Sequence, residues 1–435
     1  MNSYHGEYRN KLMSSPLDAV GLIQSGNSVV VAVNFSEPPA LLDAIAAKAR
    51  AGELENIKTY SFNPQKYAGN TIFAPDVADC IQANAWFVSA PVRKMIRVGL
   101  AYYIPSVFYQ VPRFLRENMK IDATITTVSP MDKAGYFSIG AATYITVASR
   151  LSKKVIVEVN ENSPRIFGDT QIHISEVDAI VENHVPLLSP VFPPRKPEDE
   201  IIGKRLAELI PDGACLQLGI GVIPNAIAEY LEGHKDLGIH SELFVPGMAN
   251  LIKKGAVTGR RKNFHPRKHL FAAAFGPKEM YELMDDNPTM ESYSSEYIMD
   301  PVNIARNDNL ISVNSILEVD LTGQCNAETL DGFEFSGTGG QLDFVRGAYS
   351  SKGGKSILVF YSTAQEGRIS RVVPRLAAGA GVTTPPMDTQ YLATEHGVIN
   401  IKGKSTRDRA LDIISIADPR FRDDLLKEAE DLSLI

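Results

Sequence analysis

Glu242 is the residue whose surroundings in this sequence most favour chemistry. It lies near the end of the otherwise apolar run 237–244, just before Pro246 and Gly247. A carboxylate at the end of a buried strand is either solvated at the sheet edge or held in a cleft, where it can act as a nucleophile. The second interpretation is favoured by a glycine-rich turn, residues 218–225, that precedes the run.

The glycine-rich turn reads LGIGVIPN and joins a short apolar strand to a helix. Its glycines allow close approach of a ligand, and amides at a helix N-terminus attract a phosphate or an oxyanion. A plain strand-to-helix turn without a ligand is the alternative, because a single GxG is a weak motif. The centre of this turn is formed by Gly219, Ile220, Gly221, Val222 and Ile223.

A nicotinamide-binding domain is a competing interpretation of the same turn. Glu242 stands 21 residues after Gly221, the distance at which such a domain places its ribose-binding acid. Pro224 occupies the place of the third glycine of that fingerprint, which weakens this hypothesis.

Two further segments contain candidate groups. Gly337, Gly339 and Gly340 fall within SGTGGQLDF, so their amides can converge on an oxyanion, as acyl transfer requires. A loop turn with no chemical role has the same composition. Asn326 lies where a predicted strand enters a turn, and turn formation alone would explain an asparagine there.

Lys355 and Lys402 are lysines that suit phosphate binding and plain solvation equally well. His265 and His269 are four residues apart, but no third ligand is evident, so we expect no metal site. Cys325 has no neighbouring base and is interpreted as a small buried hydrophobe.

Short apolar strands alternate with helical patterns in both halves of the chain. We predict strands at residues 28–33, 124–128, 144–148, 155–159, 214–218, 238–244 and 269–275. We predict helices at residues 39–49, 111–117, 200–210, 225–231, 248–254 and 278–284. Strands that are apolar on both faces indicate mostly parallel sheets covered by helices. In such sheets ligands bind beyond the carboxyl ends of the strands.

Four prolines within residues 190–197 predict an extended linker at 189–198. It separates an N-terminal domain, residues 1–188, from a C-terminal domain, residues 199–435, which carries Glu242 and the glycine-rich loops. The predicted fold class is α/β, with two open, mostly parallel α/β domains.

The composition excludes several classes of protein. The 435 residues are 44% hydrophobic and 22% charged, which is typical of a folded globular protein. With 44 Lys and Arg against 51 Asp and Glu, the net charge of −7 lacks the basic excess of a nucleic-acid binder. Three cysteines without paired spacing, and no apolar run long enough for a signal or a membrane span, predict a cytoplasmic protein with no membrane partner.

Five motifs, in their order along the chain, carry a family resemblance. They are GIGVIPN, IHSELF, VDLTGQCNAE, SGTGGQLDF and TEHGVINIKGKS, and the segments VSPMDKAGYFS and PRIFGD extend the set into the first domain. Together they resemble the acetyl-CoA hydrolase/transferase family, the branch of class I coenzyme A transferases that includes the hydroxybutyrate and butyrate:acetate enzymes. The resemblance covers most of the chain.

The resemblance implies a role for each candidate residue. Glu242 matches the family's catalytic glutamate, which forms an acyl anhydride and then a glutamyl-CoA thioester in a ping-pong reaction. Asn326 matches the asparagine that orients this glutamate, and Gly340 with Gly337 and Gly339 matches the oxyanion loop. The GIGVI segment matches the loop that packs against CoA. Because an anhydride hydrolyses easily, we expect the active site in the cleft between the two domains.

The resulting hypothesis is a CoA-transferase that moves CoA from a short-chain acyl-CoA, such as acetyl-, butyryl-, hydroxybutyryl- or succinyl-CoA, to a free carboxylate. It requires no metal, and homo-oligomers, dimers or tetramers, are usual in this family. A thioesterase that uses the same glutamate is one alternative. A CoA- or nucleotide-binding module without turnover is the other.

Overall fold

We describe a computed structural model of the chain, which covers residues 2–435 and side chains from Tyr4 onward. Its helices are α1 (Asn2–Lys11), α2 (Pro16–Val20), α3 (Pro39–Arg50), α4 (Lys66–Asn70), α5 (Arg93–Arg97), α6 (Val111–Asn118), α7 (Ile145–Leu151), α8 (Pro197–Ala207), α9 (Val222–Tyr230), α10 (Pro246–Lys253), α11 (Lys278–Met284), α12 (Ser295–Ile298), α13 (Pro301–Ala305), α14 (Gln341–Ser350), α15 (Thr406–Ser415) and α16 (Arg422–Asp431).

Its strands are β1 (Ser28–Val31), β2 (Ile57–Phe62), β3 (Ile81–Phe87), β4 (Tyr102–Tyr103), β5 (Ala123–Val128), β6 (Tyr136–Ser138), β7 (Lys154–Val159), β8 (Phe167–Gly168), β9 (Gln171–His173), β10 (Ala179–Glu182), β11 (Cys215–Leu218), β12 (Gly238–Phe244), β13 (His269–Ala274), β14 (Met290–Ser292), β15 (Leu310–Ser315), β16 (Glu318–Asp320), β17 (Cys325–Asn326), β18 (Thr329–Leu330), β19 (Phe333–Glu334), β20 (Lys355–Val359), β21 (Thr363–Ala364), β22 (Ile369–Ser370), β23 (Val372–Val373), β24 (Tyr391–Thr394) and β25 (Gly397–Asn400).

The chain divides into two compact units. Unit 1 runs up to Pro190 and includes Leu270–Ile298, and unit 2 comprises Val191–His269 and Met299–Ile435. The segment 270–298, which lies within the C-terminal domain proposed from the sequence, therefore packs with unit 1. Among the described residues no helix has both the length and the apolar composition needed to span a membrane.

Unit 1 is built on a seven-stranded sheet in the order β10-β7-β5-β1-β2-β3-β4, and each strand is parallel to its neighbours. Strand β5 is buried along its whole length, as expected where helices cover both faces of a parallel sheet. Helix α3 begins with proline and ends with basic residues, which suits the fixed φ of the first turn and the dipole of the last.

Unit 2 contains six neighbouring strands in the order β25-β24-β20-β15-β11-β12. The pairings from β24 to β12 are parallel, and only β25 runs antiparallel, beside β24. The prediction of an α/β fold with mostly parallel sheets is confirmed.

Most of the predicted elements are present, with bounds that differ by a few residues. The predicted strand at 144–148 is wrong, because this segment forms helix α7. Its Tyr, Ile, Thr and Val favour a strand, but this preference depends strongly on context. Thr143 directly before it has a φ of 43°, which interrupts extended backbone, and residues 145–149 are buried in the helix.

Candidate active site

Two neighbouring parallel strands of unit 2, β11 and β12, bring the glycine-rich turn and Glu242 to one edge of the sheet. Strand β11 ends at Leu218, just before the glycine-rich turn, and Glu242 lies two residues before the end of β12. The two strands pair in parallel with Leu216 opposite Ile239. Continued to the strand ends, this register places Gly219 level with Glu242 on strands about 4.8 Å apart.

Glu242 and Gly340 are in direct contact. The backbone N–H of Gly340 donates a hydrogen bond of 3.1 Å to Oε2 of Glu242. Gly340 is the N-cap residue of α14, so the carboxylate also lies at the positive end of a ten-residue helix. The structure thus brings together two residues that are 98 positions apart in the sequence.

A side chain at position 340 would collide with this arrangement. A Cβ built on Gly340 would lie 2.7 Å from Oε2 of Glu242 and 2.4 Å from Sδ of Met299. Both atoms therefore pack against the same α-carbon. Met299, which is fully buried, gives the carboxylate an apolar neighbour that cannot donate a hydrogen bond.

Burial raises the pKa of Glu242 to about 7, although the hydrogen bond from Gly340 works in the opposite direction. The residue keeps part of its surface accessible, but among the described residues its carboxylate has one hydrogen-bond donor, Gly340. A carboxylate with so little solvation is more basic than one in water. Perturbed groups of this kind are characteristic of catalytic sites.

The glycine-rich turn forms the N-terminus of α9. Gly221 is the N-cap residue, with a φ of 141° that favours glycine. Ile220 beside it is 42% exposed, which provides apolar surface next to free helix-terminal amides. Asn225 in the first turn of α9 accepts a 3.2 Å hydrogen bond from the N–H of Gly247 and so ties α9 to the segment that follows β12.

The side chain of Asn326 forms its hydrogen bonds with Glu318 and with its own turn. Its side-chain N–H groups donate to Glu318 and to the carbonyl oxygen of Thr329, each at 2.9 Å. Its side-chain oxygen accepts from the backbone N–H groups of Glu328 and Thr329. None of the hydrogen bonds that it makes within the described residues reaches Glu242. The predicted orienting contact is therefore not made in this structure, because the amide is used to shape its own turn.

Gly337 and Gly339 are buried in the loop that leads to Gly340. Gly339 has a φ of 56°, a left-handed conformation that glycine adopts without strain. The three glycines thus form one segment, and its last residue makes the contact with Glu242.

Lys355 and Lys402 lie at the opposite edge of the sheet. Lys355 is the first residue of β20 and follows α14, whose ten residues span about 15 Å from Gly340. Lys402 follows β25, whose last residue pairs with the first residue of β24. Its Nζ donates to the carbonyl oxygen of Met387 and lies 4.1 Å from the ring centre of Tyr349. The structure therefore does not place either lysine beside Glu242.

A cavity of about 510 Å³ lies at the same edge as Glu242 and was not anticipated from the sequence. It is lined by residues that directly follow β20 and β24, among them Tyr361 and Glu395, and by the start of α8 with Lys196. At ~4.8 Å per strand, β20 is about 14 Å from β12. The lining residues after β20 could have been predicted from the sequence if the end of every predicted strand had been considered as a ligand site.

The lining of this cavity carries charges of both signs, since Lys196, Arg371 and Arg420 stand with Glu198, Glu366, Glu395 and Asp418. Glu318 and Glu395 attract the charge of Arg371 without forming an ion pair with it. Within the described part of the chain, the guanidinium of Arg371 forms no hydrogen bond or ion pair, and burial lowers its pKa. Lys196 Nζ lies 4.9 Å from the ring centre of Tyr361. Two acids of the lining are already engaged, because Asp418 pairs with Arg420 at 2.8 Å and Glu395 accepts hydrogen bonds from Ser362.

Comparison with known proteins identifies the family. Residues 1–190 match the acetyl-CoA hydrolase/transferase N-terminal domain, and residues 276–429 match its C-terminal domain. The chain belongs to the acetyl-CoA hydrolase/transferase family. The resemblance found in the sequence motifs is confirmed.

Relatives with assigned activities indicate which kind of enzyme this family member is. The chain is 43% identical over 434 residues to a succinyl-CoA:cyclohexane-1-carboxylate CoA transferase of Geobacter metallireducens, covering 100% of this chain and 98% of the relative. It is 40% identical to a 4-hydroxybutyrate coenzyme A transferase of Clostridium kluyveri, covering 97% of each. The crystal structure of RipA from Yersinia pestis matches with a TM-score of 0.96 at 44% identity, covering 100% of both chains. This member of the family is a CoA-transferase.

Proposed function

We propose that the enzyme transfers CoA from an acyl-CoA to a free carboxylate by a ping-pong mechanism with Glu242 as the nucleophile. The observation that carries this proposal is the contact between the Glu242 carboxylate and the N–H of Gly340 at the start of α14. It joins a desolvated carboxylate to an amide donor suited to an oxyanion.

The first half-reaction forms a covalent enzyme. A carboxylate oxygen of Glu242 attacks the thioester carbonyl carbon, the C–S bond breaks, and CoA leaves as a thiolate with an acyl-glutamyl anhydride behind it. The thiolate then attacks the glutamyl carbonyl carbon of the anhydride. The acyl group leaves as a free carboxylate, and Glu242 becomes a glutamyl-CoA thioester.

The second half-reaction runs these steps in reverse with the acceptor. The acceptor carboxylate attacks the glutamyl thioester, which releases CoA thiolate and gives a new anhydride. Attack of the thiolate on the acyl carbonyl carbon forms the new acyl-CoA and restores the Glu242 carboxylate. No proton is gained or lost overall, so the reaction requires no general acid.

Gly340 serves this chemistry in two ways. In the resting enzyme its N–H holds one oxygen of Glu242, which fixes the direction of the other oxygen. In the tetrahedral intermediates the same N–H is placed to stabilise the negative charge that develops on oxygen. Both roles depend on the amide and not on a side chain, which is consistent with a glycine at this position.

We infer that acyl-CoA lies along the carboxyl edge of the unit 2 sheet. The exposed Ile220 and the N-terminal amides of α9 are suited to the part of CoA next to the thioester. The cavity with Lys196 and Arg371 offers two cations to its phosphates, and in the described residues the Arg371 guanidinium forms no ion pair. This assignment replaces Lys355 and Lys402 as the principal phosphate ligands.

We propose the substrate class from the substrates named for the relatives. We expect short-chain acyl-CoA donors, including succinyl-, acetyl-, butyryl- and hydroxybutyryl-CoA, and small carboxylate acceptors that include cyclohexane-1-carboxylate.

We also propose a cytoplasmic homo-oligomer. The free thiols of Cys80, Cys215 and Cys325 suit a reducing compartment, and light scattering against the 47.6 kDa chain mass would give the oligomeric state.

The proposal predicts the pattern of the initial-rate kinetics and the loss of transfer activity when Glu242 is replaced. Initial rates against acyl-CoA and carboxylate should give parallel double-reciprocal lines, and Glu242→Gln should lower transfer by about 10⁴-fold or more because the nucleophile is removed. Glu208→Gln, an exposed glutamate of the same unit, is the matched control and should retain wild-type rates. Substantial transfer by Glu242→Gln would refute the proposal. Thiol release without an acceptor, as fast as transfer, would favour a thioesterase.

A further inference from the structure

Glu328 accepts three hydrogen bonds from the segment 335–338, which leads to Gly340. Its backbone oxygen accepts hydrogen bonds from the N–H groups of Phe335, at 2.7 Å, and Ser336, at 3.1 Å. Its carboxylate oxygen Oε2 accepts a 2.8 Å hydrogen bond from the hydroxyl of Thr338. A hydrogen bond to an ionised carboxylate is stronger than one between neutral groups. One residue thus fixes the loop from its start to within two residues of Gly340.

The short span between Thr338 and Gly340 makes this anchor relevant to the active site. Only Gly339 separates the anchored threonine from the amide that contacts Glu242, and its φ of 56° turns the chain there. Because glycine has few conformational restraints of its own, the position of the Gly340 N–H depends on what holds the loop on either side. On the far side it is held by α14.

Glu328 is itself held on two sides. Its backbone N–H donates to Oδ1 of Asn326 at 3.1 Å. On the other side, Gly381 leaves room for the carboxylate, since a Cβ built there would lie 2.7 Å from Oε1 of Glu328. The same segment is fixed by a 2.8 Å hydrogen bond from the N–H of Gly381 to the hydroxyl of Thr329.

We infer that Glu328 is a positioning residue that fixes the glycine loop through Thr338, so that the Gly340 N–H meets the Glu242 carboxylate. Asn326 acts in the same chain of contacts, by holding the turn that carries Glu328, and not by touching Glu242. This inference rests on the proposed function of Glu242. Asn326, Glu328 and Thr338 would thus affect the reaction by positioning the loop, without touching the substrate.

The test compares variants that keep or lose the single hydrogen bond between positions 328 and 338. Glu328→Ala and Thr338→Val remove it, whereas Glu328→Gln and Thr338→Ser retain an acceptor and a donor. Glu334→Ala, on the neighbouring strand β19 and exposed, is the control for loss of a glutamate. We would measure kcat, KM for acyl-CoA, the melting temperature, and the first-turnover rate of glutamyl-CoA formation.

We expect Glu328→Ala and Thr338→Val to lower kcat and the first-turnover rate by about tenfold to a hundredfold, with KM changed much less, because the oxyanion donor is misplaced. Glu328→Gln, Thr338→Ser and Glu334→Ala should stay within about threefold of wild type. The double variant Glu328→Ala/Thr338→Val should be no slower than either single variant, since both remove the same bond.

Wild-type first-turnover rates in both Glu328→Ala and Thr338→Val would overturn the inference, and so would equal losses in Glu328→Ala and Glu328→Gln. If Glu328→Ala does not fold, Thr338→Val against Thr338→Ser carries the same comparison. Absence of any Glu242 adduct in the wild-type enzyme would instead contradict the proposed function, so the two failures are distinguishable.

Discussion

Glu242 combines features that are unfavourable for stability but useful for nucleophilic attack. Burial raises the pKa of its carboxyl group to about 7, and Met299 packs beside it without offering a donor. A carboxylate in water is well solvated and a weak nucleophile, whereas one with a single amide donor has less solvation to lose on attack. The residue therefore has a reason to be reactive that a solvent-exposed glutamate lacks.

The pH dependence of the rate follows from this pKa. Only the ionised carboxylate can attack, so kcat/KM should rise with pH on its acid side and level off above a pKa of about 7. At pH 6 the enzyme should have about a tenth of its plateau activity. The measurement is kcat/KM for one acyl-CoA between pH 5 and 9. A plateau that already begins at pH 5 would show that the attacking group is not this desolvated carboxyl.

Gly340→Ala tests the contact between Gly340 and Glu242 at its closest point. The added Cβ would lie 2.7 Å from Glu242 Oε2 and 2.4 Å from Met299 Sδ, so the carboxylate must shift. We expect kcat to fall by about a hundredfold or more. Gly233→Ala is the matched control, because no atom lies within 4 Å of its added Cβ. Equal activity of the two variants would contradict the geometry.

At the scale of elements, the site depends on strand ends and on the helices that follow them. Asn225 at the start of α9 accepts from Gly247 at the start of α10, which links the turn after β11 to the turn after β12. His240, two residues before Glu242 on β12, packs edge-on against Phe344 of α14 with ring centres 6.2 Å apart. Strand β12 thus contacts α14 through two successive side chains of one face, His240 and the proposed nucleophile Glu242.

Much of this arrangement could be predicted from the sequence, because apolar runs and glycine-rich turns mark strand ends by local chemistry alone. Glu242, Gly340 and the turn at Gly219 were found in this way. The 98-residue separation between Glu242 and Gly340 could be bridged only through the family resemblance, since strand order is set by packing over long distances. The helix α7 was missed because β-branched residues favour a strand until burial decides otherwise.

The lysines show the limit of reasoning by residue type. Lys355 and Lys402 sit in glycine-rich segments that resemble phosphate loops, but nothing in their sequence says which end of a strand they occupy. The structure places them at the amino edge. Arg371 was not singled out, because the cavity that it lines forms only when the segments after β20 and β24 come together.

Arg371 at the carboxyl edge of the unit 2 sheet and Lys355 at its amino edge should therefore differ in their effect on acyl-CoA binding. Arg371→Ala should raise KM for acyl-CoA by about tenfold, with kcat changed little, because it removes the proposed phosphate contact, which lies away from the reacting atoms. Lys355→Ala should leave both constants within about twofold of wild type. Steady-state kinetics with a fixed carboxylate acceptor would compare them. The reverse order of effects would return the phosphate site to the amino edge.

At the scale of the whole molecule, three buried carboxyl groups make the fold sensitive to pH. Burial raises the pKa of Glu37 to about 8 and that of Glu158 and Glu242 to about 7. An unfolded glutamate ionises near 4.5, so above that pH the folded protein holds protons that the unfolded chain has lost. Their contribution to stability is complete below 4.5 and disappears as the pH passes 8.

The free energy of unfolding should therefore fall by about 3 kcal/mol between pH 6.5 and 8.5. His269, whose pKa burial lowers to about 4, acts with the opposite sign, but most of its effect lies below pH 6.5 and the rest offsets the fall by only about 0.4 kcal/mol. Denaturant unfolding at the two pH values measures the change. Glu242→Gln should reduce the fall by roughly a quarter, by removing one of the three groups. A stability that is constant or rises over this range would contradict the account.

The central claim, that Glu242 carries CoA covalently, is tested most directly by mass spectrometry of the intact protein. The enzyme would be incubated with acetyl-, butyryl- or succinyl-CoA, reduced with borohydride, and mapped by peptides beside Glu242→Gln. The account predicts a CoA adduct before reduction and a reduced side chain at Glu242 after it, both absent from the variant. An enzyme that transfers CoA with its adduct on another residue, or with none, would contradict the account.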